Sequence, residues 1–261
     1  MKLVKVALCA AGLLAVVGCK SVPQNPAAFN RQKLAVATWY SEQKIISNSG
    51  GMIGAIQSQS TEWGKELLDA AYAAEFEQKL QKIIGGEWVP ADAVVKAPSY
   101  AALPEPRLKN FFYAPLGMKP MDIGDESYPQ LAQLAKDVGA EAVVGVENRW
   151  TLNTDSQGQY CSVTMKLYLV DDKGTLLYDK RTGADGRVAM DGKQFGAELV
   201  GALSPDNAKT MCKNATNAAL DRLAEAWTEA KNEAAKAPPP AETKPAAEPA
   251  KTEGAAAEPK S

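Results

Sequence analysis

Residues 140–181 carry the pattern that most restricts the fold. AEAVVGVENRWTL (140–152) opens as a nearly continuous apolar run, as expected of a strand covered on both faces. QYCSVTMKLYLVDDKGTLLYDKR (159–181) then reads as a hairpin whose first strand alternates. Cys161, Val163, Met165, Leu167 and Leu169 point to one side, and Tyr160, Ser162, Thr164 and Lys166 to the other. Asp171-Asp172-Lys173-Gly174 supplies a hairpin turn. A doubly buried strand followed by a half-buried hairpin demands a sheet with helices laid against it.

The rest of the chain supplies those helices. In EWGKELLDAAYAAEFEQKLQKII (62–84), Leu68, Tyr72, Phe76 and Leu80 recur every four residues, and Gly85-Gly86 ends the run. SYPQLAQLAKDVG (127–139) has Pro129 in its first turn, a stripe of Leu131, Leu134, Ala135 and Val138, and Gly139 as its stop. A last helix opens at Ser204-Pro205 and places Met211, Ala215, Ala219, Leu223 and Trp227 on one face, with Cys212 beside it. KLAVATWYS (33–41) reads as a first strand. Pro90 and Pro98 within residues 87–100 suggest an edge strand or irregular segment. The predicted fold is α/β (α+β): a single mixed β-sheet of about 4–5 strands flanked by helices, with a disordered C-terminal tail.

The first residues set the compartment. A basic MKLVK precedes about a dozen apolar or small residues (6–17), too short a run for a membrane-spanning helix of ~20 residues but in the form of a secretory signal. The segment ends Val16-Val17-Gly18-Cys19, which resembles the bacterial lipobox. That resemblance implies lipidation of the Cys19 thiol with cleavage before it. Lysine and not aspartate at position 20 implies an outer-membrane destination. The expected organisation is a signal peptide at 1–18, a tether at 19–32, a globular domain at 33–233 and an Ala/Pro/Glu/Lys-rich tail at 234–261, which lacks bulky apolar residues and cannot order itself. A fully extended tether of 20–32 reaches about 45 Å. In an oxidising periplasm Cys161, facing inward on its strand, and Cys212, in the early turns of the covering helix, form a possible disulfide; two buried thiols are the alternative.

The chain has no histidine, which removes Ser-His-Asp and Cys-His catalysis and His-ligated zinc. An enzyme would need carboxylates, a Ser-Lys pair or a cofactor, and no spacing marks a catalytic, cofactor-binding or metal site. With 29 basic residues scattered among 31 acidic ones, nucleic-acid binding is not expected. SNSGGMIGAIQSQS (47–60) has Ser49 where a dinucleotide-binding turn needs its first glycine. It reads as a loop in which Met52, Ile53 and Ile56 form an apolar patch open to a partner or to lipid. Phe111, Phe112 and Tyr113 adjoin, but neighbours on an extended segment face opposite ways, so they make a poor platform for a sugar.

LAKDVGAEAVVGVENRW followed by SVTMKLYLVDDKGTLLYDKR is similar to a module of bacterial envelope lipoproteins, that of LpoB-type activators of penicillin-binding proteins, CsgG-type curli export lipoproteins and the TolB N-terminal domain. The resemblance implies a non-enzymatic, lipid-anchored protein in the cell envelope, facing the periplasm, that binds another envelope protein or itself. An export-channel component is the alternative, though it would need membrane-spanning strands of about ten alternating residues. A carboxylate-based cell-wall hydrolase is the third reading.

Overall fold

The computed structural model describes residues 25–42, 45–48, 58–61, 64–107, 112–121, 123–155, 158–188 and 205–236. Four long strands form the frame: β1 (Lys33–Glu42), β6 (Ala142–Asp155), β7 (Gly158–Asp171) and β8 (Leu176–Gly186). Four short ones, β2 (Ile45–Asn48), β3 (Ser58–Thr61), β4 (Glu87–Val89) and β5 (Phe112–Tyr113), complete a mixed sheet of eight strands among the described residues. β1 and then β2 run parallel along one edge of β6, and β7 pairs antiparallel along its other edge. β8 follows β7 as the expected hairpin, while β4 and β5 border β1 and β3 borders β2. The short strands have two to four residues each, too few to display a period of two in sequence.

The two faces of the sheet are treated differently. On the first lie α1 (Gly64–Leu67), α2 (Ala70–Ile84) and the 32-residue α6 (Pro205–Lys236). Their apolar stripes meet Leu34, Val36, Trp39, Val144, Val146, Trp150 and the inward residues of β7 in the main core. Trp39 stacks on Phe76 with ring centres 3.9 Å apart, and buried Trp150 Nε1 donates to Thr216 Oγ1 at 3.0 Å. On the second face α3 (Ala91–Val95), α4 (Pro98–Ala101) and α5 (Tyr128–Asp137) cover Ala35, Ala37, Val143 and Val170.

Several sequence expectations change. The single helix over 62–84 is two helices, because the Asp69 carboxylate accepts the Tyr72 N–H at 2.8 Å and caps a new start. Residues 87–100 are extended only as far as Val89. Pro90 then precedes α3 and Pro98 opens α4, so both prolines begin helices, where their fixed φ and missing N–H cost nothing. Within the stretch expected to be a free tether, Pro26–Asn30 forms a 3-10 turn with Ala28 buried. Phe29 sits edge-on to both Tyr178 and Trp227, 6.3 and 4.8 Å between ring centres. At the far end, α6 continues to Lys236, three residues past the expected domain boundary at 233. The stretch 47–60 expected to be a loop is strand at both ends, in β2 and β3; its residues 49–57, with Met52, Ile53 and Ile56, lie outside the described residues, as do 1–24 and 237–261.

Cys161 and Cys212 are joined by a disulfide that ties β7 to α6, with Cα atoms 5.0 Å apart. The helix comes this close because Gly186, the β8 partner of Cys161, has no side chain: a Cβ there would collide with the Met211 carbonyl and the Ala215 backbone. Gly186→Ala is therefore expected to cost about 1–3 kcal/mol in urea unfolding by forcing helix and strand apart. Replacing both cysteines by alanine should lower stability by about 2–4 kcal/mol, since the bridge closes a loop of 51 positions. Peptide mapping after alkylation without reduction should leave Cys161 and Cys212 unlabelled.

Candidate functional site: the open face of the sheet

Beyond Gly145 no helix among the described residues covers the second face. The apolar residues of the first half give way to polar ones at alternate positions, as period-two geometry requires of a solvent face. Glu147 and Arg149 on β6, Thr164 and Lys166 on β7 and Arg181 on β8 line an open groove of about 260 Å³. Cross-strand pairing assembles them, since Glu147 is opposite Lys166, Arg149 opposite Thr164, and Lys166 opposite Arg181. Tyr40, edge-on to Phe112 with ring centres 5.5 Å apart, lies beside Glu147 in the neighbouring strand.

The charges are held in place. Arg149 Nε donates to Glu147 Oε1 at 2.6 Å and lies 3.8 Å from Glu42, and the bond to Glu147 raises the guanidinium's pKa further above its ordinary value. Lys166 Nζ sits 3.5 Å from Asp179 and 4.2 Å from the centre of the Tyr168 ring. Burial opposes its charge, but Tyr168 and Asp179 outweigh that and raise its pKa. Farther along, Asn153 donates to Ser162 Oγ, which donates to Asp185 at 2.6 Å, while Arg187 pairs with Asp155 and covers the Tyr160 ring. Arg181 is exposed and has no ion pair with a described residue.

Tyr168 and Asp179 favour the charged form of Lys166, and the Ser162 hydroxyl donates to Asp185 at 2.6 Å. Among the described residues no group of three or more His, Cys, Asp or Glu could hold a metal ion. Glu77 is a described carboxyl whose pKa burial raises, and it lies on the other face beside Trp39 and Phe76. Phe112 packs on Tyr40 and Tyr113 leans on the main core, so the described aromatics of that run offer no flat platform. Cys161 and Cys212 meet inside the core, away from the open face. Cys19, Met52, Ile53 and Ile56 lie outside the described residues. The groove residues Glu147, Arg149 and Arg181 were not singled out by sequence. Their signal was the alternation itself, which had already placed Thr164 and Lys166 away from the core.

No family model and no curated protein matches this chain. Among solved structures it aligns with the hypothetical protein CT253 from Chlamydia trachomatis, at 12% identity and TM-score 0.35, covering 77% of this chain and 98% of that one. It also aligns with lipoprotein GNA1162 from Neisseria meningitidis, at 16% identity and TM-score 0.30 over 65% of this chain and 92% of that one. For the LpoB C-terminal domain from Escherichia coli the values are 15% and 0.24, over 61% and 84%. At TM-scores of this size the alignments neither assign a family nor carry a function across.

If the open face is built for binding and not for folding, its exposed members are dispensable to stability. Thr164→Ala and Arg181→Ala are each expected to shift the urea unfolding free energy by less than about 0.5 kcal/mol. Asp171→Ala, by contrast, should cost about 1–3 kcal/mol. Its carboxylate accepts the Lys173 and Thr175 N–H groups at 3.0 and 2.8 Å to shape the β7–β8 turn.

Proposed function

We propose that this protein is a lipid-anchored lipoprotein of the bacterial envelope, facing the periplasm from the outer membrane, and that its folded domain is a non-enzymatic docking module for another envelope protein or a second copy of itself. The observation that carries the reading is the run Val16-Val17-Gly18-Cys19 at the end of a short apolar signal, followed at once by polar sequence. The Cys161–Cys212 disulfide supports it independently, because such bonds persist in exported proteins and are rare where thiols are kept reduced. The open face supplies the docking surface: charges of both signs, fixed by their neighbours, with Arg181 left to meet a partner's carboxylate or carbonyl. Residues 48–58, read from the sequence as an apolar interaction loop with Met52, Ile53 and Ile56, are a contact candidate of equal standing.

Labelling with radioactive palmitate tests the anchor, and Cys19→Ser should abolish both the label and partition into detergent. In crosslinked envelopes, Arg181→Glu with Lys166→Glu should reduce recovery of the crosslinked partner at least several-fold while the circular dichroism spectrum stays unchanged. Palmitate on Cys19→Ser, or loss of activity from single acidic substitutions with crosslinking intact, would overturn the reading in favour of another anchor or of an enzyme.

A further inference from the structure

The N-terminal segment is fastened to one pole of the sheet. Asn25 N–H donates to the Leu177 carbonyl at 3.2 Å, and Phe29 fills the corner between Tyr178 and Trp227. Arg31 pairs with Asp171 at 3.2 Å, and Gln32 N–H donates to Glu141 at 2.9 Å. The Gln32 and Lys33 carbonyls accept from Glu87 and Glu141 N–H at 2.7 and 2.8 Å. Apart from Trp227 on α6, these partners lie where β4, β6 and β8 begin and where β7 ends. Only residues 20–24 stand between Cys19 and docked Asn25. Six residue steps span at most about 20 Å. The opposite pole, where β6 turns into β7, lies fourteen residues up β6, roughly 45 Å away.

We propose that the pole formed by the 3-10 turn, the 172–175 turn and the C-terminal end of α6 is the surface this protein turns toward a layer of phospholipid headgroups. The inference rests on the lipid anchor at Cys19. A leash of ~20 Å cannot let the opposite pole face the bilayer, and it keeps the pole that holds Asn25 beside the headgroups. α6 fills part of that gap. It runs antiparallel along β8, with Thr182 Oγ1 donating to the Ala219 carbonyl at 3.3 Å and Trp227 level with Tyr178. The nine residues after Trp227 therefore run past the level of Tyr178 toward this pole, by about 13 Å at helical rise, with Ala230 still against the core. That projection carries Glu229, Lys231, Glu233 and Lys236 and no large apolar side chain, so it reaches headgroup level without inserting. Exposed Lys82, Glu87, Lys136, Asp137 and Lys173 give the pole both signs of charge, so the leash and not electrostatic attraction sets the orientation.

The test uses the full-length acylated protein in vesicles of phosphatidylethanolamine and phosphatidylglycerol. A fluorophore on Lys173→Cys should be quenched by a headgroup quencher several-fold more than one on Thr154→Cys near the opposite pole, at low and high salt alike. Inserting ten Gly/Ser residues between Ser21 and Val22 should erase the difference. Equal or reversed quenching in protein that carries palmitate overturns the orientation and leaves the anchor standing. A difference that survives the insertion overturns the leash as its cause, and absence of palmitate from Cys19 overturns anchor and orientation together.

Discussion

Strand β6 is hydrogen-bonded along its whole length to β7 on one edge and to β1 and then β2 on the other, and residues 142–146 are buried on both faces. A strand in that position has no freedom of register. Slipping it by one residue would exchange Val144, Val146 and Trp150 for Glu147 and Arg149 in the main core. The parallel pairing with β1 forces a long crossover, which is where α2 through α5 are placed, and the antiparallel pairing with β7 allows the short hairpin that follows. Two layers of helix and the open polar face are all consequences of how this one strand is filled.

The disulfide and the aromatic corner complete the same design from outside the sheet. α6 is held near its start by the Cys161–Cys212 bond and near its end by Trp227 against Phe29 and Tyr178. Between them Ala215 and Ala219 let the helix lie close on β8, over Gly186 and Thr182. Small residues thus set the separation, and large ones close both ends.

Long periodic elements were legible in the sequence because each repeats its signal many times. β6, the β7–β8 hairpin, α5 and the stripes of α2 and α6 all fall where periodicity put them. Short elements were not. α3 and α4 have five and four residues, and prolines that break a strand also start a helix, so Pro90 and Pro98 were ambiguous until their partners were known. The docking of residues 26–30 was invisible because PAAFN contains one large apolar residue, and what holds Phe29 comes from Tyr178 and Trp227, far along the chain. The groove was half legible. Alternation assigned Thr164 and Lys166 to the solvent side, but cross-strand register brings Glu147, Arg149 and Arg181 beside them.

The staple at residues 25–32 also decides how the molecule bears a load. A pull on the chain ahead of Asn25, with the opposite pole held, acts along β1 and therefore across its bonds with β6. The ladder from Leu34 to Ser41 is then sheared with all its hydrogen bonds strained together, and not unzipped one at a time. The 3-10 turn comes first in the line of force and rests on few contacts, so it yields before the ladder does. Its release lengthens the connection while β1 stays in the sheet. The attachment is in effect a sacrificial catch ahead of a much stronger joint, and it lets the folded body give way slightly under tension without losing its core.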